Sequence, residues 1–468
     1  MNINVFGHRL KELRTRRNIG IKPLARHLGV SHTYISHIEN GRTTISDKFV
    51  SKIARFFKVD KEELNLLTGR VPNDVLKVFY EHPKEALSFI REGFTPYGTA
   101  LSSQLTLPEI ATKTIADFPS TRFQGSKLKL LNWLWDNIKN LNFTSALDAF
   151  GGTGSVSYLL KTHNKAITYN DSLRFNYIIG KALIENSSVT LDENDIDFIL
   201  TKHLSIKYQS VVADNFKDIY FTDEENQWID QTVQNIMHIK NKHKQALAYF
   251  ALFQSCIIKR PYNLFHRKNL YVRLASVERS FGNKTTWDKP FETHFLNFVK
   301  EANNAVFDNE QSCHALNEDA FEIKNNYDLV YIDTPYMNKQ GVSVDYYDFY
   351  HFLEGLTFYP SQRDPVATGR DNDWLKQIDY ESKHRRLKPK YSVWSDRQAI
   401  HQAFQKLFHK FRDSILVVSY RSDGIPSEEE LVGMLKAVKR KVTIVRYGPY
   451  RYVLSKNGES KEILFIGE

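Results

Sequence analysis

Only two cysteines occur in the 468 residues, Cys256 and Cys313, and neither sits in a CxxC pair or a Cys/His cluster. That excludes a disulfide framework or structural zinc site from the reading, no metal is expected, and a reducing cytoplasm fits. No run of about 18 apolar residues is present, and the opening "MNINVFGHRLKELRTRR" lacks the apolar centre of a secretory signal. Membrane spanning and secretion are therefore disfavoured. Internal repeats and low-complexity segments are missing too. With 41% hydrophobic and 13% aromatic residues, extended disorder is not expected, and the length allows roughly two to four domains.

What is present begins with charge. The formal net charge is +10, and residues 1 to 70 alone hold 14 Lys+Arg against 6 Asp+Glu, a local footprint for a polyanion. Helical periodicity fills residues 6 to 67: Phe6, Leu10 and Leu13 share a face, Leu24, Ala25 and Leu28 mark a second helix, and "GVS" at 29 to 31 makes a turn with Ser31 capping a third, "HTYISHIE". "RLKELRTRR...IKPLARHLGVSHTYISHIENGR" resembles the helix-turn-helix domain of phage-repressor type, in which the second helix of the motif enters the major groove. The resemblance implies base contacts from His32, Thr33, Ser36 and His37 and phosphate contacts from Arg42 and Lys48. Ile21, where a polar residue is common, and Pro23 depart from the pattern. A helical oligomerisation module is the alternative. Residues 71 to 115 read as a helical connector.

From about residue 120 strands alternate with helices, which predicts an open α/β sheet covered on both faces. The strand "SALDAF" runs into "GGTGSVSYLL", where Gly151, Gly152 and Gly154 let backbone approach a ligand at a helix N-terminus. The next strand, "AITYND", ends on Asp171, 20 residues past Gly151, the spacing at which an acid accepts ribose hydroxyls in nucleotide-binding sheets. Asp171 also suits capping of the following helix. The spacing serves NAD, FAD and S-adenosylmethionine alike.

A third strand, "LVYI", stops on "DTPY", residues 333 to 336. The amino nitrogen of adenine is a poor nucleophile because its lone pair is delocalised into the ring. A carboxylate and a backbone carbonyl that accept its two hydrogens would draw it toward tetrahedral geometry, with proline fixing the turn and an aromatic ring stacking on an extruded base. Here the chain resembles the D12 class of DNA adenine-N6 methyltransferases over most of residues 118 to 468. "RFQGSKLKLL" (122 to 131), with Arg122 and Lys127, resembles the N-terminal cofactor motif. "DAFGGTG" (148 to 154), with Asp148 and Phe150, resembles the glycine motif. Asp171 falls at the ribose position, "NEDAF" (317 to 321), with Asp319 and Ala320, at the cofactor-adenine position, and "DTPY" at the catalytic motif; "DYYDFYHFLEGL" and "ILVVSYRSDG" are similar to this class as well.

The resemblance implies S-adenosyl-L-methionine as cofactor and in-line transfer of methyl to N6 with neither covalent intermediate nor metal. Asp333 would orient N6, Tyr336 stack the base, and Thr334 and Pro335 hold the turn. Lys127 would anchor the cofactor's methionine part or order the loop, Phe150 face the cofactor, and Asp319 meet its adenine. Thr334 stands where the class usually has proline, which puts the rate in question; Asp333 with Tyr336 favours adenine over cytosine.

More than 140 residues separate Asp171 from "NEDAF", far beyond a sheet connection. Residues 186 to 312 are read as an inserted target-recognition region and 357 to 397 as a second insertion within a methyltransferase domain of residues 116 to 468. "IIKRPYNLFHRKNLYVR" (257 to 273) offers Lys259, Arg260, Arg267, Lys268 and Arg273 to phosphates, interleaved with Tyr262, Phe265 and Tyr271. "KHRRLKPKYSVWSDR" (383 to 397) is a second basic run, equally suited to a solvated surface. The expected fold is a Rossmann-like α/β methyltransferase sheet with an inserted region, preceded by a small all-α helix-turn-helix domain. The expected partners are double-stranded DNA and a cognate restriction endonuclease of the same system, with the N-terminal domain either repressing the enzyme's own promoter or adding contacts near the target. The alternatives are a DNA-binding regulator with a catalytically weak methyltransferase fold, and RNA methylation. Oligomeric state is not legible.

Overall fold

The computed structural model describes residues 3–17, 19–39, 43, 45–57, 59–68, 113–121, 123–275, 284–324, 326–360, 374–448 and 461–468. Most of the expected connector at 71 to 115 lies outside them. The chain divides into two compact units, Met1–Pro108 and Glu109–Glu468.

The first unit contains helices α1 (Ile3–Arg16), α2 (Ile21–Leu28), α3 (His32–Glu39), α4 (Asp47–Phe57) and α5 (Lys61–Leu67). Gly29 ends α2 in the left-handed region, φ 64°, and its N–H closes on the helix carbonyls; a side chain there would be strained. Ser31 Oγ accepts from the Tyr34 N–H at 3.1 Å, capping α3 as its position predicts. Leu10, Leu24, Ile35, Ile38, Val50 and Ile53 close a core of their own. Against it Arg14 donates twice to Glu39, at 2.7 and 3.0 Å, tying α1 to α3. Pro23 sits in the first turn of α2, where a missing N–H costs nothing.

The second unit is built on a seven-stranded sheet in the order β3-β2-β1-β4-β6-β9-β8. Its strands are β1 (Ser145–Asp148), β2 (Ala166–Asn170), β3 (His314–Leu316), β4 (Leu329–Ile332), β6 (Ile415–Arg421), β8 (Val442–Tyr447) and β9 (Glu462–Gly467); β5 (Met337–Asn338) and β7 (Gly424–Ile425) form a separate pair. The first five in spatial order are parallel, and β9 runs antiparallel between β6 and β8.

Burial alternates along the strands. Ala146, Leu329 and Tyr331 join the core on one face, while Leu147, Val330 and Ile332 join the core on the other. Strands covered twice read as unbroken apolar runs, as "LVYI" does. The helices Asp223–Met237, Lys242–Ile258 and Phe291–Ala305 bury Ile229, Phe250 and Phe295 in the same core as Ala146 and Tyr331. The expected insertion at 186 to 312 therefore packs continuously onto one sheet face. Strand order reverses between β1 and β4, whose register pairs Asp148 with Tyr331, so the crevice beyond their carboxyl ends is the position where open α/β sheets bind ligands.

Candidate active site

A cavity of about 450 Å³ opens at that crevice, within the range of small-molecule sites. The turn after β1 forms one wall. A Cβ on Gly151 would stand 2.1 Å from the Tyr169 ring, so the loop passes where only glycine fits, and Gly154 (φ 76°) starts the helix Ser155–Thr162, whose N-terminal end faces the cavity turn. Asp171 ties this wall together: Oδ2 accepts from the Gly152 N–H at 3.0 Å and from Asn176 at 3.1 Å, and Oδ1 accepts from the Leu173 N–H at 2.8 Å in the turn before the helix Arg174–Gly180, whose first N–H groups are met by Glu354 instead. Burial outweighs these bonds and pushes its carboxyl up to about 6. Asp148 is 1% exposed. Its Oδ2 accepts from Ser157 Oγ at 2.7 Å, whereas Oδ1 has no partner among the described residues, and burial raises the group to about 7.

The turn after β4 forms the facing wall. Asp333 and Pro335 line the cavity together with Gly151, Asp148 and Asp171. Thr334 and Tyr336 lie behind, 3% and 7% exposed. The Tyr336 ring packs under the Arg421 guanidinium at 5.3 Å and edge-on to Tyr420 at 6.2 Å. Tyr336 is expected to stack on the base; in this conformation its ring is enclosed by strand-end residues and does not line the cavity. Lys127 reaches Asp333 from the loop before the helix Leu131–Ile138, with Nζ 3.0 Å from Asp333 Oδ1 and 3.0 Å from Glu462 Oε1. Burial alone would favour the neutral amine; the two carboxylates hold Lys127 well above the ordinary lysine range. Burial likewise raises Asp333 to about 6, Lys127 opposing and Glu462 reinforcing. Lys127 lines the cavity, but its ion pairs are with Asp333 and with Glu462 on β9.

Aromatic rings close the remaining sides. Phe150 meets Trp394 edge-on at 5.3 Å, and Phe321 stacks on Trp394 at 5.9 Å. Ala320 is buried in the wall, while Asp319 is exposed beside it and accepts from the Phe321 N–H at 2.9 Å. Opposite, Gly125 (φ 82°) brings the loop against Tyr346, whose Oη a Cβ would meet at 2.2 Å. Trp394, Tyr346 and Glu462 carry no singular sequence signal. The first lies inside a basic run, the second in a tyrosine-rich motif without an assigned role, and the third opens the last strand. Arg122 lies outside the described residues.

On α3 the side chains of Ile35, Ile38 and Glu39 turn inward, leaving His32, Thr33 and His37 exposed and Ser36 half-buried, with Lys48 exposed on α4. Arg42 lies outside the described residues. The basic segment at 257 to 273 needs correction. Lys259, Arg260 and Arg273 are 2%, 1% and 6% exposed. Arg260 donates to the carbonyls of Leu264, Tyr220 and Arg267, and Lys259 and Arg273 both engage Glu225 at 2.6 Å. Buried cations survive only with such partners, and these three clamp the segment instead of facing a phosphate. Arg267 and Lys268 are exposed, as are Tyr262 and Tyr271, whereas Phe265 is buried. Tyr262 and Asn263 both hold positive φ, 62° and 59°, an unfavourable backbone for side-chain-bearing residues. The Phe265 N–H donates to the Phe349 carbonyl at 2.9 Å, joining this exposed edge to the helix Tyr346–Phe349 at the cavity.

Comparison with known proteins bears on the same elements. A helix-turn-helix domain family matches residues 5–67. Over 98 residues the chain is 34% identical to an uncharacterised HTH-type transcriptional regulator, RghRB of Bacillus subtilis, covering 21% of this chain and 67% of that protein. It is 28% identical over 361 residues to the type II methyltransferase M2.HphI of Haemophilus parahaemolyticus, covering 75% of this chain and 98% of the relative. Against the type II methyltransferase M.FokI of Planomicrobium okeanokoites it is 27% identical over 358 residues, 72% of this chain and 50% of that longer enzyme. The family described as D12 class N6 adenine-specific DNA methyltransferase matches residues 123–391, the span that carries the glycine turn, Asp171 and Asp333. With that span more than half of its length, the chain belongs to the D12 class of N6 adenine-specific DNA methyltransferases.

Proposed function

We propose that the chain methylates adenine N6 at a specific site in duplex DNA, as the modification component of a restriction–modification or similar system, acting in the cytoplasm. The carrying observation is that Asp148, Gly151, Asp171 and Asp333 line one cavity at the strand-order reversal. Its residues suit S-adenosylmethionine. The orphaned Oδ1 of Asp148 supplies an unsatisfied acceptor for a cationic amine, the glycine turn leaves room for a close backbone contact, and Phe150, Phe321 and Trp394 offer apolar surface to a purine. When bound there, that cofactor supplies an electrophilic methyl on a sulfonium.

The chain's own part is positioning and charge. Asp333 accepts one N6 hydrogen and the Thr334 carbonyl the other, so the nitrogen lone pair leaves the ring system, and Pro335 fixes the two acceptors relative to each other. With Tyr336 enclosed, Tyr346 and Tyr391 are among the rings on the cavity wall that an extruded base can meet. Arg267, Lys268, Tyr262 and Tyr271 present the exposed edge to DNA, within a target-recognition region at 186 to 312. A second protein-DNA contact comes from α3 through His32, Thr33, Ser36 and His37, with autoregulation of the enzyme's own promoter as its role and a cognate endonuclease as partner of the system. Type II methyltransferases among the relatives support this setting.

Wild type and Asp333→Ala expressed in a host free of DNA methylation, with N6-methyladenine mapped by single-molecule sequencing, test the reading. A sequence-specific mark that disappears in the variant is expected. No mark in either, from soluble protein that binds cofactor, favours a DNA-binding regulator.

A further inference from the structure

Glu462 is 0% exposed, at the start of β9 and far in sequence from every recognised motif. Its register partners are Arg421 on β6 and Tyr447 on β8, so the carboxylate is fixed by an interior strand. Ser419 Oγ donates to Oε1 at 2.6 Å, and Lys127 Nζ lies 3.0 Å from the same oxygen. Lys127 thus divides one positive charge between the fully enclosed Glu462 and the half-buried Asp333, which lines the reaction cavity. A simple ion pair of Lys127 with Asp333 would be enough to stabilise either group. Burying a second acid beside it costs free energy and calls for a reason.

We propose that Glu462 is a positioning residue that draws Lys127 partly away from Asp333, so that the Asp333 carboxylate is less neutralised by Lys127 and accepts the N6 hydrogen more strongly. The inference rests on the catalytic reading of Asp333. Other groups around Asp333 do not duplicate this effect. Tyr331 on β4, Tyr336 in the turn and Tyr346 beyond it are phenols held protonated by burial, and Asp148 on β1, raised by its own burial to about 7, is neutral below that value, where Asp333 takes up its proton. Among the described residues, Lys127 is therefore the cation, and Glu462 the fully enclosed acid, that act on the charge at Asp333.

Glu462→Gln keeps the size and an oxygen acceptor for Lys127 and Ser419 while removing the charge. Its test is the pH profile of single-turnover methylation of unmethylated host genomic DNA with S-adenosylmethionine. Loss of the Glu462 charge lets Lys127 pair fully with Asp333, so the plateau rate is expected to fall about tenfold and the acid limb to move down by about one pH unit. Glu462→Asp retains the charge and is expected to return the limb toward wild type. A purely structural role lowers melting temperature and plateau but leaves the limb in place, and an unmoved limb in Glu462→Gln overturns the proposal. Failure of the underlying reading looks different: Asp333→Asn would then keep the wild-type rate and limb.

Discussion

Asp148 shows how a single residue can tie ligand affinity to pH. One carboxylate oxygen is satisfied by Ser157, the other has no partner among the described residues, and burial holds the group near 7. Below that value the carboxyl is neutral and offers a cation little; above it the carboxylate is formed but unpaired, and a bound ammonium or sulfonium repays its desolvation. Affinity for S-adenosylmethionine is therefore expected to rise from about pH 5.5 to about pH 7, with release of protons on binding that makes the calorimetric heat depend on the buffer. Asp148→Asn should flatten that rise. Titration calorimetry at several pH values in two buffers measures both effects, and a pH-independent wild-type affinity would remove Asp148 from the cation's environment.

At the scale of elements, the sequence declares strands and turns more readily than the destination of long side chains. "SALDAF", "AITYND" and "LVYIDTPY" each join an apolar run to a functional terminus, and all three termini meet because parallel strands put their carboxyl ends on one edge. The basic segment at 257 to 273 misleads for an equally physical reason. Charge density is visible in the letters, but whether an arginine points out or in depends on carbonyls and acids contributed from elsewhere, here Tyr220 and Glu225. Glu462 is illegible on the same ground, since its partners Lys127 and Ser419 lie 335 and 43 positions away.

These two classes of cation separate in experiment. Arg260→Met strands three carbonyl acceptors in the interior and is expected to cost about 3 kcal/mol of stability, read by denaturant unfolding. Arg267→Ala with Lys268→Ala should leave stability within about 0.5 kcal/mol yet weaken DNA binding and reduce the salt slope by about 1 per cation removed. Equal loss of DNA affinity in both variants without unfolding would reinstate Arg260 as a phosphate contact.

For the whole molecule the question is which unit reads sequence. The first closes its own core, with α3 offering His32, Thr33 and His37 to solvent, while cavity, glycine turn and exposed basic edge all belong to the second. Chemistry at an extruded base calls for recognition contacts within a few base pairs of the reacting adenine, and in the proposed reading those contacts come from the unit that holds Asp333. A helix-turn-helix closed around a separate core is free to recognise another sequence. Replacing His32, Thr33 and His37 together by alanine is accordingly expected to leave the methylated motif unchanged in a methylation-free host. The same variant should release a reporter driven by the enzyme's own promoter from repression, the autoregulatory half of the reading. Single-molecule sequencing and the reporter, run in one strain, give both answers. A changed or lost motif would assign target reading to α3 and make the two units a single recognition device, whereas an unchanged reporter with an unchanged motif would leave α3 without a role in either.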